Sequence, residues 1–261
     1  MEKKEPRYPI KAIINASKIM DYFIKRGKPV TISELNNKIN LYTSTIHRIL
    51  DTLNYINYVD KNSDNVTYQL GIKSLELGMA KLSQLDIVKE AMPYIKQLSE
   101  TINENVYLGV LYEGTVFYEA KMECSKPVKV VTHVGARAPF NCTALGKVLI
   151  SFLPKNERER IYKKVGLIKS TKNSIIDKES FEKEVKKVKT RGYALDNEEY
   201  EIDVSCIAAP VYNHRGQVIA ALSISGPSYR FKTKIKTQAR AQVIRYAKML
   251  SSCLGYYNQS E

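Results

Sequence analysis

The strongest constraint on the fold lies near the N-terminus, where two apolar stripes at helical spacing are separated by only three residues. Apolar side chains recur every three or four positions through residues 32–39 and again through residues 44–56. The connection, residues 40–42, leaves room only for a tight turn, and Asn40 tolerates the left-handed backbone that often ends a helix. The pattern therefore predicts two short helices joined as a helix–turn–helix.

The second of these helices has the features of a DNA-recognition helix. It begins at Thr43, Ser44 and Thr45, whose hydroxyl groups can cap the helix and also contact DNA phosphates. His47 and Arg48 follow on the face opposite the apolar stripe, where a recognition helix presents side chains to the major groove. Arg48 is the stronger candidate, because arginine binds either phosphate or guanine; His47 is also consistent with an ordinary surface residue. The segment predicts a double-stranded DNA partner.

A short hairpin is expected directly after the recognition helix. Two strand-like pieces flank a turn-forming polar stretch at residues 61–65. With the preceding helices they make a winged helix–turn–helix domain over residues 1–70. Lys61 and Asn62, at the tip of the wing, are expected to contact DNA phosphates.

A linker helix is expected over residues 71–85, between the small domain and the rest of the chain. Its apolar residues repeat at spacings of three and four, which makes a seam suited to a second copy of the same helix. The seam consists of Ile72, Leu75, Met79 and Leu82.

The remaining residues, 86–261, mix strand-like and helical patterns. Hairpin patterns at 105–121 and 205–225 are interspersed with helical ones, and the valine-rich residues 128–134 predict a further strand. Hairpins interspersed with helices are typical of an α+β domain with a largely antiparallel sheet.

Composition adds only mild support for a nucleic-acid partner. The net charge is +14, but residues 1–80 carry +4 of it and residues 81–261 carry +10, so the excess is not focused on the DNA-reading segment. Four scattered cysteines and no signal peptide indicate free thiols in a reducing cytoplasm. No apolar run approaches the roughly 18 residues that a membrane-spanning helix requires.

Four blocks of sequence, in order along the chain, resemble the IclR family of bacterial transcription regulators. They are TSTIHRILDTLNYINYV, GARAPFNCTALGKVLISFL, RGYALDNEEYEIDVSCIAAPV and GQVIAALSISGP. The resemblance implies a dimeric winged reader of operator DNA joined by a helix to a GAF-like effector-binding domain, with dimers that can pair into tetramers. Within the family, DNEE, CIAAPV, LSIS and the closing LGYY look most like the pectin-degradation repressors, which respond to 2-keto-3-deoxygluconate.

The same resemblance implies a pocket for a small carboxylate effector and no cofactor. Thr143, Ala144 and Leu145 lie where a loop opens onto a predicted helix N-terminus, whose free N–H groups and dipole attract an anion. Asp196 would repel a carboxylate, so it is expected at the hydroxylated end of a sugar acid. The full set that matches family contacts is Thr143, Ala144, Leu145, Asp196, Cys206, Ser223 and Ser225.

Two other interpretations of the same residues remain open from sequence. In the first, Cys142, Cys206 and Asp196 converge on a metal or act as a thiol sensor on the same scaffold. In the second, Cys206 is a nucleophile with His133 or His214 as its base, although both histidines also suit surface or turn positions. No catalytic sequence motif accompanies these residues, so a non-enzymatic regulator is the favoured interpretation.

Overall fold

The computed structural model describes residues 6–62, 66–83, 86–231 and 233–257, with only the backbone described at 81–83 and 233–236. The chain divides into two compact units, one up to Leu85 and the other from Asp86 to Asn258. The N-terminal unit contains α1 (Lys11–Arg26), β1 (Val30–Thr31), α2 (Ile32–Lys38), α3 (Thr43–Tyr55), β2 (Val59–Asn62), β3 (Thr67–Leu70) and α4 (Ile72–Ser83).

The N-terminal unit is organised around the apolar stripes that the sequence predicts. Ile19 of α1, Leu35 of α2 and Ile46 of α3 are fully buried and pack together, and Tyr68 of β3 closes the core from the sheet. The three strands are antiparallel in the order β1, β3, β2. Thr31 caps α2 by accepting a hydrogen bond from the backbone N–H of residue 34 at 3.1 Å.

The turn and the wing differ from expectation in three details. Asn40 does not have a left-handed backbone, because α2 ends at Lys38 and the residue after it, Ile39, is already extended. The residue preceding α3 is Tyr42, and no side chain caps this helix, so the predicted capping by residues 43–45 is wrong. Lys61 and Asn62 belong to β2 and pair with β3 rather than forming the tip. Residues 63–65 of the predicted tip lie outside the described part of the chain.

The linker forms a helix as expected, α4, which starts directly after the wing. Ile72, Leu75 and Met79 are all more than half exposed within the N-terminal unit. The side chain of Leu82 and residues 84–85 of the predicted linker lie outside the description.

The C-terminal unit is an antiparallel sheet covered by helices on both faces. Its strands follow the order β6, β5, β4, β9, β8, β7. The elements are α5 (Ile87–Ile102), β4 (Asn105–Tyr112), β5 (Thr115–Met122), β6 (Arg137–Pro139), α6 (Ala144–Ser151), α7 (Lys155–Val165), α8 (Lys178–Arg191), β7 (Ala194–Asn197), β8 (Val204–Tyr212), β9 (Val218–Pro227) and α9 (Thr233–Cys253).

Strand alternation divides the sheet into two faces. Helix α6 packs on one face, where Val148 and Leu149 join Tyr107, Ala208 and Ala221 in a buried cluster. Helices α5 and α9 pack against each other and contact β4, β8 and β9. Among the described residues, no helix combines the length and apolar character needed to cross a bilayer.

The strand predicted at residues 128–134 does not form. This stretch is irregular, and the strand that pairs with β5 beside the first hairpin is instead the short β6. Side chains replace the missing strand pairing, because the Asn105 amide and the Tyr107 hydroxyl both donate hydrogen bonds to the carbonyl of Val130. The segment is therefore held to β4 by side-chain hydrogen bonds rather than by strand pairing.

Candidate functional site

A cavity of about 310 Å³ lies in the C-terminal unit, between the start of α6 and the sheet. Strands β4, β5, β7, β8 and β9 contribute side chains to it, and its walls are completed by residues 130–133, Ala136, Arg137, Tyr200 and Glu201. All seven residues that the sequence assigns to effector binding line this one cavity: Thr143, Ala144, Leu145, Asp196, Cys206, Ser223 and Ser225.

The helix side of the cavity is the N-terminus of α6. Thr143 precedes the helix and caps it, its hydroxyl oxygen accepting the Gly146 N–H at 3.1 Å, while its carbonyl accepts the Lys147 N–H at 3.0 Å. The backbone N–H groups of Ala144 and Leu145 come before that first helical hydrogen bond, so the helix itself supplies them with no acceptor. An anion in the cavity would meet two N–H donors and the positive end of the helix dipole.

Close packing fixes this helix start. A Cβ added at Gly146 would lie only 2.3 Å from the carbonyl oxygen of Phe140, so the helix approaches the preceding loop more closely than any other residue type permits. Asn141, in that loop, is fully buried and donates to the carbonyls of Ile168 and Ile175. The anion-attracting end of α6 is thus part of a rigid core.

The strand side of the cavity carries its one buried carboxylate, Asp196. Its Oδ1 accepts the backbone N–H of Glu199 at 2.8 Å, and Tyr200 donates a second backbone hydrogen bond. Burial raises the pKa of Asp196 to about 7, the charge of Glu199 adding to the increase while the two backbone donors and Lys147 oppose it. Near neutral pH this group can therefore either accept a hydrogen bond as a carboxylate or donate one as an acid.

A row of small polar groups continues from Asp196 across the sheet. Asp196 pairs with Cys206, and Cys206 pairs with Ser225, on successive antiparallel strands. The Cys206 thiol donates to the Ser225 hydroxyl oxygen at 3.2 Å, and burial raises the pKa of this thiol well above its ordinary value. Ser223 lies two residues before Ser225 on the same face of β9. The row offers hydroxyl and thiol partners suited to a polyhydroxylated molecule.

Sequence reasoning missed the aromatic wall of the cavity. Tyr107 and Tyr118 meet edge to face with ring centroids 5.5 Å apart, and burial raises the pKa of both phenols, so both are neutral hydrogen-bond donors. Tyr200 and His133 also line the cavity, and His133 is an exposed residue that begins the turn at residues 133–136, as its surface or turn assignment expects. The predicted hairpin of β4 and β5 was an available signal for the first pair, because it brings Tyr107 and Tyr118 onto neighbouring strands, but nothing in the sequence indicated that residues 130–133 fold over the same space.

The proposed convergence of two thiols does not occur. Cys142 is fully buried beside the cavity and donates its thiol to the carbonyl of Ile168 at 3.2 Å, so it faces away from Cys206 and Asp196. Within the described parts of the chain, no group of three or more His, Cys, Asp or Glu side chains is placed to hold a metal ion. His214, the other candidate base, lies in the β8–β9 turn and does not line the cavity.

The predicted DNA-reading residues lie on the exposed side of α3. Thr43, Ser44, His47 and Arg48 are exposed, whereas Thr45 is half-buried. In the described part of the chain the Arg48 guanidinium makes no ion pair or side-chain hydrogen bond, and its backbone carbonyl accepts the Thr52 hydroxyl at 2.7 Å. Lys61 and Asn62 are exposed on β2, with the Lys61 ammonium 5.8 Å from the centre of the Tyr68 ring.

Comparison with protein families assigns both units. The IclR helix-turn-helix domain matches residues 12–63, and the bacterial transcriptional regulator IclR C-terminal domain matches residues 79–252. The chain belongs to the IclR family. The family and the fold class expected from sequence are confirmed.

Individual members of the IclR family agree with this assignment. The chain is 32% identical over 231 residues to the HTH-type transcriptional regulator KdgR of Escherichia coli (strain K12), covering 88% of each. It is 32% identical over 247 residues to XynR, another HTH-type transcriptional regulator of that strain, covering 95% of this chain and 98% of the relative. The crystal structure of the Agobacterium tumefaciens repressor BlcR matches with a TM-score of 0.83 at 25% identity, covering 95% and 99%. These relatives are regulators of transcription, and the chain is a regulator rather than an enzyme.

Proposed function

We propose that this IclR-family regulator represses genes of sugar-acid catabolism and is released from its operator by a small carboxylate inducer, 2-keto-3-deoxygluconate. The observation that carries the proposal is the composition of the cavity between α6 and the sheet. A helix N-terminus with two N–H donors that have no acceptor within the helix faces the same space as a carboxylate, a thiol and two serine hydroxyls. A hydroxylated 2-keto acid has the complementary groups.

The charges in the cavity determine how such a molecule would bind. Its carboxylate would sit at the backbone N–H groups of Ala144 and Leu145, where the helix dipole favours negative charge. Asp196 would repel that carboxylate, so it would instead accept hydrogen bonds from the hydroxyl groups. Tyr118 adds a neutral donor, and the rings of Tyr107 and Tyr118 add an apolar wall, which favours a compact organic acid over a free inorganic anion.

The N-terminal unit is proposed to read DNA as part of a dimer. Arg48 and His47 would contact base edges, the hydroxyls of residues 43–45 would contact phosphates, and Lys61 and Asn62 would contact the backbone beside the wing. The exposed apolar residues of α4 are the proposed dimer seam, because an unpaired apolar stripe of this kind is costly in water. A homodimer would present two α3 helices to half-sites about one helical turn apart, and pairing of dimers would give a homotetramer.

Induction then requires that the effector bind two arrangements of the dimer with different affinity. Only the arrangement with lower affinity for the operator would be stabilised by a ligand that bridges α6 and the sheet. A ligand bound equally well by both arrangements would leave repression unchanged, however tightly it bound.

A gel shift with DNA from upstream of the gene for this protein and of its neighbours tests both halves of the proposal. Salt must be held constant, because phosphate contacts make affinity steeply salt-dependent. Specific binding that is lost on addition of 2-keto-3-deoxygluconate is the expected result. Specific binding that is indifferent to this sugar acid would reject the proposed inducer, and absence of specific binding would reject these DNA targets.

A further inference from the structure

The side chain of Lys147 is the most deeply buried cationic side chain near the cavity, and effector contacts do not account for it. Lys147 lies one turn into α6, a helix buried along its whole length, and its residue exposure is 1%. Its ammonium forms an ion pair with the carboxylate of Glu199 and donates to the backbone carbonyl of Leu195 at 2.7 Å. The lysine does not line the cavity.

These two contacts fall on either side of Asp196 in the chain. Leu195 precedes it in β7, and Glu199 follows it and donates its own backbone N–H to Asp196 Oδ1 at 2.8 Å. The lysine therefore holds the strand before the carboxylate and the loop after it. The intervening Glu198 has a φ of 58°, a left-handed conformation that needs support from its surroundings.

The backbone carbonyls of the same loop are held by other residues. Thr171 and Ser174 donate their hydroxyls to the carbonyls of Glu198 and Glu199, both at 2.7 Å. Lys147 instead ties the Glu199 side chain and the Leu195 carbonyl to α6, the helix whose first turn offers the N–H groups.

We propose that Lys147 is a positioning residue for effector recognition, which fixes Asp196 relative to the N-terminus of α6 by tying both sides of the Asp196 segment to that helix. The inference rests on the proposed function above. Its consequence is selectivity by length and chemistry: an acid that carries both a carboxylate and a hydroxylated chain needs the fixed spacing, whereas a short acid that occupies only the helix end does not.

Charge provides a second reason for a lysine at this place. Glu199 is buried beside Asp196, and two uncompensated carboxylates there would repel each other. By pairing with Glu199, Lys147 leaves Asp196 as the one carboxylate of the group without an ion-pair partner among the described residues. Of these two buried carboxyl groups, Asp196 therefore faces the cavity and Glu199 does not.

The test uses the full-length protein with the double substitution Lys147→Met/Glu199→Gln. Removing both charges avoids an unpaired buried ion, so the domain is expected to fold, while the tie to α6 is lost. The matched control is Arg158→Met/Glu182→Gln. Arg158 and Glu182 form a largely buried ion pair between α7 and α8 in the same unit, with their closest atoms 2.8 Å apart, and neither lines the cavity.

Two ligands are compared by calorimetric titration, 2-keto-3-deoxygluconate and pyruvate, which has the 2-keto acid end without the hydroxylated chain. The Lys147/Glu199 double variant should bind 2-keto-3-deoxygluconate at least about tenfold more weakly, the scale of one lost hydrogen bond to a charged group. Its affinity for pyruvate should stay within about twofold of wild type. The Arg158/Glu182 variant should bind both acids as wild type does.

Hydrogen–deuterium exchange without ligand gives a readout that does not depend on the inducer. Amides in residues 194–201 should exchange faster in the Lys147/Glu199 variant and at the wild-type rate in the control. Wild-type exchange in this segment, wild-type affinity for the sugar acid, or an equal loss for both acids would each overturn the proposal. If wild-type protein binds neither acid, the proposed inducer is rejected, and exchange in residues 194–201 alone decides whether Lys147 positions Asp196.

Discussion

Replacing Asp196 by asparagine should stabilise the C-terminal unit at neutral and alkaline pH while removing a key group from the cavity. Burial raises the pKa of this carboxyl from 3.8 to about 7, so the folded state binds its proton more tightly than the unfolded chain does. At about 1.4 kcal/mol for each pH unit between these values, ionised Asp196 destabilises the fold by about 4 kcal/mol above pH 7. Asparagine is isosteric and carries no charge to bury.

The hydrogen bonds to the carboxylate are already included in this figure. The backbone N–H groups of Glu199 and Tyr200 hold the pKa below the value that burial alone would give, and an amide oxygen accepts the same donors much as the protonated carboxyl does. The net expectation for Asp196→Asn is therefore a gain of about 4 kcal/mol at pH 8, or about 8–16 °C in Tm for a domain of this size.

The sign of the pH dependence distinguishes this explanation from simple repacking. For an acid whose folded pKa is raised, wild-type stability falls as pH rises from about 4 to about 7 and then levels off. The variant lacks this fall, so its advantage should grow across the same interval and be small at pH 4.5. Urea unfolding followed by far-ultraviolet circular dichroism at a series of pH values measures the difference.

An exposed aspartate provides the matched control. Asp177 caps α8, and its pKa is lowered, chiefly by the backbone N–H of Ser180. Its stabilising contribution is present above the unfolded pKa and is lost as pH falls, so Asp177→Asn should destabilise the protein at neutral pH and have little effect in acid. If Asp196→Asn changes stability by the same amount at every pH, or destabilises the protein at pH 8, the assignment of burial as the cause is wrong.

Three further predictions concern other parts of the molecule. Arg48→Ala should cost about 1–3 kcal/mol of specific operator binding and reduce base preference in a gel shift. Lys61→Ala should instead weaken binding to all DNA sequences alike, and the slope of log affinity against log salt concentration should fall by about one. Gly146→Ala should destabilise the C-terminal unit by about 3 kcal/mol or more in urea unfolding, because the new Cβ would meet Phe140 at 2.3 Å. Leu75→Asp, at a side chain 58% exposed, should leave folding intact and shift sedimentation towards monomer; an unchanged dimer would exclude α4 as the seam.

Periodicity predicted the N-terminal unit well because its core depends on a simple repeat. The stripes of α2 and α3 bury Leu35, Ile46 and Leu50 completely, and each of these side chains follows helical spacing in the sequence. The errors there are local. Helix α3 is preceded by Tyr42 rather than capped by a threonine. Which residue caps a helix depends on the backbone angles at a single position, and the hydrophobic pattern does not determine them.

The prediction of a strand at the valine-rich residues 128–134 was wrong for a different reason. β-branched residues fit a strand, but a strand also needs a partner edge, and only three residues of β6 pair with β5. The carbonyl of Val130 instead accepts hydrogen bonds from two side chains of β4, a long-range arrangement that composition does not reveal. The same irregular segment brings His133 to the cavity, so the wrong prediction of a strand there also left part of the candidate site unpredicted.

The buried ion pair between α6 and the loop after β7 shows what sequence signal was available and unused. Lys147 stands inside ALGKVLIS, a run in which it is the one charged residue, and a lysine is almost never fully buried unless it is paired. That pattern alone predicts an acidic partner elsewhere in the chain, and the DNEE segment supplies one in Glu199. A charge embedded in an apolar helix therefore links two distant blocks of the sequence through the partner that its burial requires. Here it links the block that starts the anion-attracting helix to the block that carries Asp196, the two groups that the proposed inducer would have to bridge.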